Sequence, residues 1–307
     1  WMNKEVKNSM IAWLENARDW SVSRNRLWGT PLLIWKSDNP LCPHMEVFGS
    51  IKELEDFFEV KVNDLHTDKV DNLTKVNPSD PTGKSKLVRV NDIFDCWFES
   101  GCMPFAQLHY PFENKEWFEK NFPADFITEY VGQTRGWFYT LLVIGVGLFN
   151  KAPFKNCLPH GIILDENAKK LSKRLRNYPD PFEVFESYGS DVMRATILSS
   201  SLTSGGNLCI DSKGKIFQDS MRSVLAPIKN AYNFFTLYSN SYGVKSKLIS
   251  NANEIMNVYI LSKLKKLVND IHSNLSNFRI QESYKLIIDF VEVMNNWYIR
   301  RSRNIFR

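Results

Sequence analysis

The sequence lacks any apolar stretch long enough to cross a membrane. Its longest apolar run, Leu141 to Phe149, has nine residues, whereas a membrane-spanning helix needs about 20. Its five cysteines include no CxxC pair, which disfavours a disulfide framework and favours a reducing, cytoplasmic compartment. No signal peptide is recognisable, and the chain opens at Trp1 without an initiator Met. We therefore interpret the sequence as a piece of a longer cytoplasmic protein that has no membrane partner.

The sequence also lacks a large excess of positive or negative charge. The 307 residues hold 39 Lys and Arg against 34 Asp and Glu, and 43% are hydrophobic, which excludes a disordered chain, a collagen-like repeat and a supercharged tail. The distribution is uneven, because residues 1–150 hold 16 basic and 21 acidic residues whereas residues 229–307 hold 12 and 5. A basic C-terminal third is typical of a polyanion-binding surface, although a solvated helix face is an equally good explanation.

The middle of the chain is predicted to form a strand–helix–strand unit. The apolar patterns predict a strand over 126–129, a buried helix over 132–149 and a second strand over 157–163. Such a unit implies a parallel sheet with a right-handed crossover. Ligands of these sheets bind at the carboxyl ends of the strands, which here are Glu129 with the loop after it and the stretch after the second strand.

The N-terminal third has no pattern of comparable strength. Residues 9–36 look turn-rich and lead into a strand near residues 31–35. Residues 36–89 look polar and loop-like, with one short helix that begins at a capping box of Ser50 and Glu53. We interpret this polar segment as an insertion rather than as core.

After Pro179 the chain is predicted to be helical. Asp180 followed by Pro181 is a helix start, and Ser190 is predicted to cap the next helix. Two apolar stripes at helical spacing are predicted to lie in the core of a helical bundle. The first stripe consists of Ile255, Val258, Leu261, Leu264, Val268, Ile271 and Leu275. The second stripe consists of Ile280, Tyr284, Ile287, Val291, Met294 and Tyr298.

Three clusters of side chains could bind a ligand or take part in a reaction. Five cations lie within residues 169–176, and lysines on a loop at a strand end can bind a polyphosphate and stabilise charge as it leaves. Residues 129–137 offer a carboxylate for an ammonium group, and Gly132 lets a ligand approach the backbone. Residues 95–104 are rich in aromatics that fill a core or wall an apolar pocket. Two of these clusters also have a purely structural explanation. Residues 169–176 would be a solvated basic loop, and residues 129–137 would be an ordinary helix start.

Two further motifs resemble sites and are rejected. The stretch PTGKS at residues 81–85 has Pro78 where a phosphate-binding P-loop needs its leading glycine. Cys42 and His44 lack the second ligand pair that structural zinc requires. No metal site in the chain, and no structural zinc, is predicted.

Five stretches of sequence occur in the same order as in a known family. They are WLENARDWSVSRNRLWGTPLLIW, FDCWFESGCMPFAQ, ADFITEYVGQTRGWFYTL, HGIILDENAKKLSKRLRNYPDP and NWYIRRSR. Together they resemble the second half of the isoleucyl-tRNA synthetases, which are class I aminoacyl-tRNA synthetases. WFESG and GQTRGWF resemble the isoleucine enzymes rather than their valine or leucine relatives. The resemblance implies an α/β fold, namely the second half of a Rossmann-like parallel-sheet catalytic domain followed by an all-α anticodon-binding bundle.

The resemblance also implies a domain organisation. Residues 1–35 return the chain into the catalytic domain, 36–90 form a connective insertion, 91–178 form the second half of the catalytic domain, 179–220 form a stem-contact linker, and 221–307 form an incomplete anticodon-binding domain. The family's HIGH motif and editing domain are absent from these residues. The N-terminal half of the same enzyme is therefore an expected partner, and the 307 residues alone are expected to be inactive.

Enzymes of this family use ATP with Mg²⁺ to convert L-isoleucine to isoleucyl-adenylate and then transfer it to tRNA(Ile). Their KMSKS signature matches Lys170-Leu171-Ser172-Lys173-Arg174, which implies that Lys173, with Lys170 in support, stabilises the triphosphate as pyrophosphate leaves. The implied contacts to ATP are Lys173, Ser172, Gly132, His160 and Gly161.

Other residues acquire roles by the same resemblance. Glu129 matches the carboxylate that faces the isoleucine ammonium group, Gln133 is a neighbouring hydrogen-bonding side chain, and Trp97 and Trp137 wall the aliphatic pocket. The implied contacts to tRNA are Trp297, Arg300, Arg301 and Arg303.

One departure and two alternatives accompany this interpretation. Many class I enzymes carry Gly-x-Asp-Gln at the ribose-binding turn, where this chain has Tyr130-Val131-Gly132-Gln133. The first alternative is a non-catalytic tRNA-binding or scaffold protein derived from a synthetase. The second is a synthetase for valine or leucine.

Overall fold

The structure is a computed structural model, and its described residues are 1–245, 247 and 252–305. The predicted anticodon-binding domain extends beyond them at residues 246, 248–251 and 306–307. The chain divides into two compact units. The first unit comprises residues 1–9, 125–133 and 154 onward. The second unit comprises residues 10–124 and 134–153.

Helices and short strands alternate through the described chain. The α-helices are α1 (Lys4–Glu15), α2 (Ile51–Phe58), α3 (Thr67–Val70), α4 (Cys96–Ala106), α5 (Lys115–Asn121), α6 (Trp137–Phe149), α7 (Pro181–Tyr188), α8 (Ser190–Ser199), α9 (Lys215–Ser220), α10 (Ala226–Ser241), α11 (Ile255–Ser276) and α12 (Ile280–Glu292). The strands are β1 (Ser23–Arg24), β2 (Ile34–Ser37), β3 (Met45–Val47), β4 (Lys75–Val76), β5 (Lys86–Arg89), β6 (Ile93–Phe94), β7 (Ala124–Tyr130), β8 (Phe154–His160), β9 (Ile163–Asp165) and β10 (Leu208–Ile210).

Two pairs of parallel strands form the sheet structure of the first unit. β7 lies beside β8; the Asn156 amide donates to the Asp125 carbonyl at 2.9 Å and the Thr128 hydroxyl donates to the Leu158 carbonyl at 2.8 Å. Both strands therefore run in the same direction. β9 pairs with β10 in parallel, with Ile163 opposite Leu208. The predicted α/β class, with parallel strands and a helical C-terminal region, is confirmed.

The predicted strand–helix–strand order is also confirmed, with different boundaries. The predicted second strand is two strands, because β8 ends at His160 and β9 begins at Ile163. The predicted single helix begins as a 3-10 turn over Val131–Arg135, and Gly136 separates this turn from α6.

The helices after β9 enclose a separate apolar core in the first unit. Its buried members are Val184, Val192, Leu202, Leu208, Ile210 and Phe217. Asp180 caps α7 as predicted, since its side chain accepts from the Phe182 N–H and Pro181 occupies the first turn. The prediction for Ser190 is wrong, because Gly189 is the N-cap of α8. Gly189 has a φ of 84°, which favours glycine over serine.

The two apolar stripes of the C-terminal helices have different environments. Every member of the second stripe, on α12 and the π-helical turn Val293–Ile299 after it, is buried or half-buried, as predicted. The prediction for the first stripe is wrong, since five of its members on α11 are exposed. Their exposed fractions are Ile255 82%, Val258 45%, Leu264 42%, Val268 58% and Leu275 49%. The apolar arc of α11 is thus wider than the face that α12 covers.

The polar segment after residue 35 is not loop-like. Its four strands form an antiparallel sheet in the order β3-β2-β5-β4, packed over a core whose members are Trp35, Leu54, Val70 and Leu87. These strands have only two to four residues each, which is too short for an apolar pattern to indicate a strand in the sequence. The cap of α2 is confirmed, since the Ser50 hydroxyl accepts from the Glu53 N–H at 3.2 Å.

The turn-rich prediction for residues 9–15 is wrong as well. These residues form the second half of α1, whose Val6 and Met10 are buried and four residues apart. Buried side chains at that spacing provide the apolar face that stabilises a helix.

The PTGKS stretch wraps a carboxylate rather than presenting open amides. Asp80 accepts from the backbone N–H and hydroxyl of Thr82 and of Ser85 at 2.6–2.8 Å. These bonds, led by the one from the Ser85 hydroxyl, hold the Asp80 pKa well below its usual range. The amides that a phosphate loop would need are therefore already used.

Several general properties of the described residues bear on function. All five cysteines are free thiols, and burial raises the pKa of Cys157 to about 12 and of Cys102 to about 11, which makes both unreactive. No helix in the described ranges is long and apolar enough to cross a membrane. The same ranges contain no group of three or more His, Cys, Asp or Glu that could hold a metal ion.

Candidate functional site

The carboxyl ends of β7 and β8 lie at one edge of the first unit, because the two strands are parallel. Glu129, the penultimate residue of β7, is half-buried. Its Oε2 accepts from the Tyr130 N–H at 2.8 Å, and within the described residues it forms no ion pair. The carboxylate is therefore available to a ligand cation at this edge.

The turn after β7 brings a glycine against an aromatic ring. A Cβ built on Gly132 would lie 2.3–2.7 Å from three atoms of the Tyr130 ring, so any larger residue would displace that ring. Gln133 follows in the same 3-10 turn and is half-buried. The predicted close approach at Gly132 is thus made by Tyr130, and contact between a ligand and Gly132 stays a prediction.

The end of β8 is fixed by close backbone contacts. The Gly161 N–H donates to the Leu202 carbonyl at 3.0 Å, and a Cβ on Gly161 would lie 1.7 Å from the Gly206 carbonyl oxygen. His160 Nδ1 lies 2.8 Å from the Gly161 carbonyl oxygen. Only glycine permits this approach, so His160 is held at the same edge as Glu129.

The basic segment forms an exposed loop after β9. We call residues 165–177 the KLSKR loop. Lys170 lies opposite Leu164 of β9 in an isolated bridge, and Ser172 is half-buried, whereas the Lys170 and Lys173 side chains are exposed. None of the five cations of the loop forms an ion pair with another described residue. A polyanion therefore meets unneutralised charge here.

The two predicted pocket tryptophans lie in the second unit, on the packed helices α4 and α6. The Ser100 hydroxyl donates to the Trp97 carbonyl at 3.1 Å, and the Trp137 Nε1–H donates to the Ser100 carbonyl at 3.1 Å. Trp97 is 42% exposed and lines a cavity of about 820 Å³. The Trp137 indole is thus bonded to the backbone of α4, three residues after Trp97.

Close packing of these helices depends on Gly101. A Cβ there would lie 2.7 Å from Ile144 Cδ1 and 3.0 Å from the Thr140 carbonyl oxygen. Because the second contact is with backbone, a side chain at position 101 would push α4 away from α6.

A buried carboxylate that the sequence analysis assigned to no role holds the start of α4. Asp95 is 4% exposed and accepts from the Trp20 Nε1–H at 3.0 Å, from the Arg24 guanidinium, and, as N-cap, from the Trp97 N–H at 3.2 Å. Burial alone would raise the pKa of Asp95, but these hydrogen bonds and the Arg24 charge lower it below its ordinary value. An Asp directly before an aromatic helix is the N-cap signal that could have revealed it.

We expect Asp95→Ala to lower the free energy of unfolding by about 2–3 kcal/mol, because it removes a helix cap and the acceptor for a charged donor. Since the folded-state pKa is depressed, the wild-type advantage is complete above about pH 5 and is lost as the pH falls through that pKa. Urea unfolding of wild type and Asp95→Ala from pH 7 to pH 3 measures this difference in the free energy of unfolding. Asp95→Asn, which keeps the cap acceptor, should lose less. A wild-type advantage that grows on acidification would contradict this assignment.

The predicted RNA-facing stretch is helical and lies in the first unit. Trp297 is 47% exposed, and the Arg301 guanidinium carbon lies 4.5 Å from the centre of its ring. Tyr298 is half-buried and donates to Asn257 Oδ1 at 2.7 Å, whereas the Arg300 and Arg303 side chains are exposed. The stretch therefore combines packing and exposed cations, and its contact with tRNA stays a prediction.

Comparison with known proteins identifies the family. The family profile described as tRNA synthetases class I (I, L, M and V) matches residues 1–208. An isoleucine--tRNA ligase of Rickettsia africae is 57% identical over 307 residues, which are 100% of this chain and 28% of that protein. The isoleucine--tRNA ligase of Wolbachia sp. subsp. Brugia malayi is 55% identical over 100% of this chain and 27% of its own length. The chain thus spans about 28% of the relatives it matches.

Two solved structures share the fold. One is the ternary complex of Agrobacterium radiobacter K84 agnB2 LeuRS, tRNA and LeuAMS, with a TM-score of 0.64 and 17% identity over 97% of this chain and 39% of that one. The other is Mycobacterium tuberculosis methionyl-tRNA synthetase in complex with methionyl-adenylate, with a TM-score of 0.66 and 13% identity over 99% of this chain and 49% of that one. The resemblance found in the sequence is confirmed: the chain belongs to the class I tRNA synthetases of the I, L, M and V group.

Proposed function

We propose that this chain is part of a cytoplasmic isoleucine--tRNA ligase, which activates L-isoleucine with ATP and transfers it to tRNA(Ile). The observation that carries the proposal is 57% identity to isoleucine--tRNA ligases over the whole chain. In support, the two lysines of the predicted KMSKS equivalent are exposed and form no ion pair with another described residue. The remainder of the same enzyme is the proposed partner that completes the active site.

The exposed lysines of the KLSKR loop suit the departure of pyrophosphate. Charge moves onto the leaving pyrophosphate oxygens when the isoleucine carboxylate attacks the α-phosphorus of ATP. Lys173, with Lys170 in support, would stabilise that charge, and interactions that strengthen in the transition state accelerate the step. The Ser172 side chain, Gly132, His160 and Gly161 are the remaining proposed contacts to ATP.

Glu129 is the proposed partner of the amino acid. Its carboxylate has no cation among the described residues, so an isoleucine ammonium group would supply the missing charge. Gln133 is proposed to hydrogen-bond nearby. The carboxylate fixes the amino group and thereby orients the isoleucine carboxylate for attack.

Trp97 and Trp137 are proposed to contact the aliphatic side chain of isoleucine. Their indoles would form an apolar surface, in which Trp137 is fixed by its hydrogen bond to the Ser100 carbonyl. Isoleucine differs from valine by one methylene, which is worth about 1–3 kcal/mol of discrimination, a range known from the isoleucine enzymes themselves. This surface therefore favours isoleucine without rejecting valine completely.

Mg²⁺ is proposed to accompany ATP. In nucleotide sites its usual ligands are phosphate oxygens, water and one or two carboxylates. The chain's own contribution to phosphate binding would then be the cations of the KLSKR loop.

Isotopic pyrophosphate exchange by the full-length protein tests the proposed function. We expect exchange with isoleucine to exceed exchange with valine in kcat/KM by roughly 100-fold. Faster exchange with valine would replace the isoleucine assignment. No exchange with any of isoleucine, valine or leucine, combined with tight tRNA binding, would favour a non-catalytic scaffold.

Arginine substitutions test the tRNA surface separately from catalysis. We expect Arg300→Ala and Arg301→Ala each to weaken tRNA binding severalfold and to reduce the salt slope of log K by about one. Pyrophosphate exchange without tRNA should not change. Lys266→Ala is the matched control, because its ammonium already pairs with Asp270 at 2.8 Å. An unchanged salt slope for both arginine variants would place tRNA elsewhere.

A further inference from the structure

The KLSKR loop is closed by the side chain of one residue at its far end. Asn177 Oδ1 accepts from the Ser172 N–H at 2.9 Å, and Asn177 Nδ2 donates to Asp165 Oδ2 at 2.7 Å and to the Lys170 carbonyl at 3.3 Å. The carboxamide therefore contacts the base of the loop and both flanks of Leu171.

Asp165 anchors the other end of the same arrangement. It is 6% exposed, and its Oδ1 accepts from the Asn167 and Lys169 N–H groups at 2.9 and 2.8 Å. The Asn177 bond is the chief reason that the Asp165 pKa is lowered. Each oxygen thus has a separate task, since one shapes the turn before the lysines and the other receives Asn177.

The other internal restraints of the loop are backbone contacts. Lys170 forms a bridge with Leu164, the Asp165 N–H donates to the Lys169 carbonyl at 2.8 Å, and the Ala168 N–H donates to the Asp165 carbonyl at 3.0 Å. The Arg176 N–H donates to the Ser172 carbonyl at 2.9 Å, and Lys173, Arg174, Leu175 and Arg176 are all exposed. The Leu164 bridge places the Lys170 backbone, and the Asn177 side chain, bonded to Asp165, fixes the segment from there to Ser172, directly before Lys173. Ordering these residues before substrate arrives lowers the entropy cost of bringing their ammonium groups to a phosphate.

We propose that Asn177, bonded to Asp165, is a positioning residue that presents Lys170 and Lys173 of the KLSKR loop to the ATP phosphates. The inference rests on the proposed function for the identity of the ligand. The geometry of the loop does not depend on that function. Asn177 itself does not touch the substrate, and its effect on the reaction passes through the two lysines.

Substitution of Asn177 by Asp should make the loss of exchange activity depend on pH, which a general loss of folding would not do. At pH 8 the variant places two carboxylates in contact, because the donor to Asp165 is lost; Lys169 is the other charged group near Asp165. At pH 6 the pair can share one proton, which restores an O–H···O bond between them. We expect Asn177→Asp to slow exchange by about 10- to 100-fold at pH 8 and to recover at least about fivefold, relative to wild type, at pH 6.

Two further variants complete the comparison. Asn177→Ala should slow exchange by the same factor at pH 6 and at pH 8, since alanine can form none of the three side-chain hydrogen bonds. Asn167→Asp is the matched control: it adds the same charge to the same loop, but its side chain is exposed and makes no hydrogen bond within the described residues. We expect the control to lose less than about threefold at either pH.

Limited trypsin digestion of the full-length protein without ATP provides a readout that needs no catalysis. The five cations within residues 169–176 are trypsin sites, and cleavage of this segment depends on how often it opens. We expect Asn177→Ala to be cut there at least about fivefold faster than wild type and than Asn167→Asp, with equal cleavage elsewhere. In pyrophosphate exchange, Asn177→Ala should raise the KM for ATP more than it raises the KM for isoleucine.

The two readouts separate the possible failures. Wild-type exchange and wild-type cleavage rates in both Asn177 variants would overturn the inference. A loss of exchange by Asn177→Asp that is the same at pH 6 and pH 8 would overturn it as well. If wild type itself exchanges no pyrophosphate, the proposed function fails, and the cleavage rates alone then decide whether Asn177 holds the loop.

Discussion

Lys173→Ala in the full-length protein is expected to reduce isoleucine-dependent pyrophosphate exchange by about 100- to 1000-fold in kcat. The ammonium group is exposed and lacks an ion pair within the described residues, so its charge is available to the leaving pyrophosphate. Because that charge grows during the reaction, the loss should fall on kcat and on the KM for ATP. The KM for isoleucine should change less than about threefold. Steady-state exchange at varied ATP and isoleucine measures all three quantities.

Lys213→Ala is the control for this substitution. Lys213 is also an exposed lysine of the first unit, and it follows a different strand, β10. The Lys213→Ala variant should catalyse pyrophosphate exchange at the wild-type rate. An equal loss of ATP and isoleucine dependence in Lys173→Ala, or an equal effect of Lys213→Ala, would contradict the role assigned to Lys173.

Gly101→Ala is expected to lower the free energy of unfolding by about 1–3 kcal/mol, the usual cost of overpacking a tight contact. The new methyl would meet Ile144 Cδ1 and the Thr140 carbonyl oxygen of α6, and a carbonyl of a helix cannot turn away as a side chain can. Separation of α4 from α6 also weakens the hydrogen bond from the Trp137 indole to the Ser100 carbonyl. We therefore expect the KM for isoleucine to rise severalfold while the KM for ATP stays constant.

Gly147→Ala is the matched control for this second prediction. Gly147 lies in α6, and a Cβ added there would have no atom within 4 Å. Replacement of an exposed helical glycine by alanine should stabilise the protein by up to about 1 kcal/mol. Urea unfolding of both variants tests the pair. Equal stability of Gly101→Ala and Gly147→Ala would show that α4 and α6 do not depend on the glycine contact.

Much of the fold around the candidate site was predictable from local sequence. The apolar run near Ile127 and the one near Leu158 marked two parallel strands, and Asp180 with Pro181 marked a helix start. These features depend on neighbours in the sequence, which is why pattern and propensity suffice to find them. The candidate residues Lys173 and Glu129 came from motif matching, and their roles stay predictions.

The predictions from sequence were wrong where contacts between distant residues determine the structure. Val88 and the other strand residues of the polar segment alternate over too few positions to separate strand from loop. Val268 on α11 belongs to a regular apolar stripe, yet periodicity cannot tell whether a neighbour covers it. Asn177 and Asp95 escaped notice because their importance lies in hydrogen bonds to residues that are 12 and 71 positions away.

The lysines of the KLSKR loop are expected to contact the phosphates of ATP. An ATP analogue that carries a pyridoxal aldehyde on its terminal phosphate tests this contact most directly, because the aldehyde forms a reducible imine with a nearby lysine. After borohydride reduction of the labelled full-length protein, peptide mapping should find the adduct on Lys170 or Lys173, and excess ATP should prevent it. Stoichiometric, ATP-sensitive labelling at other lysines, with residues 169–176 unmodified, would contradict this expectation.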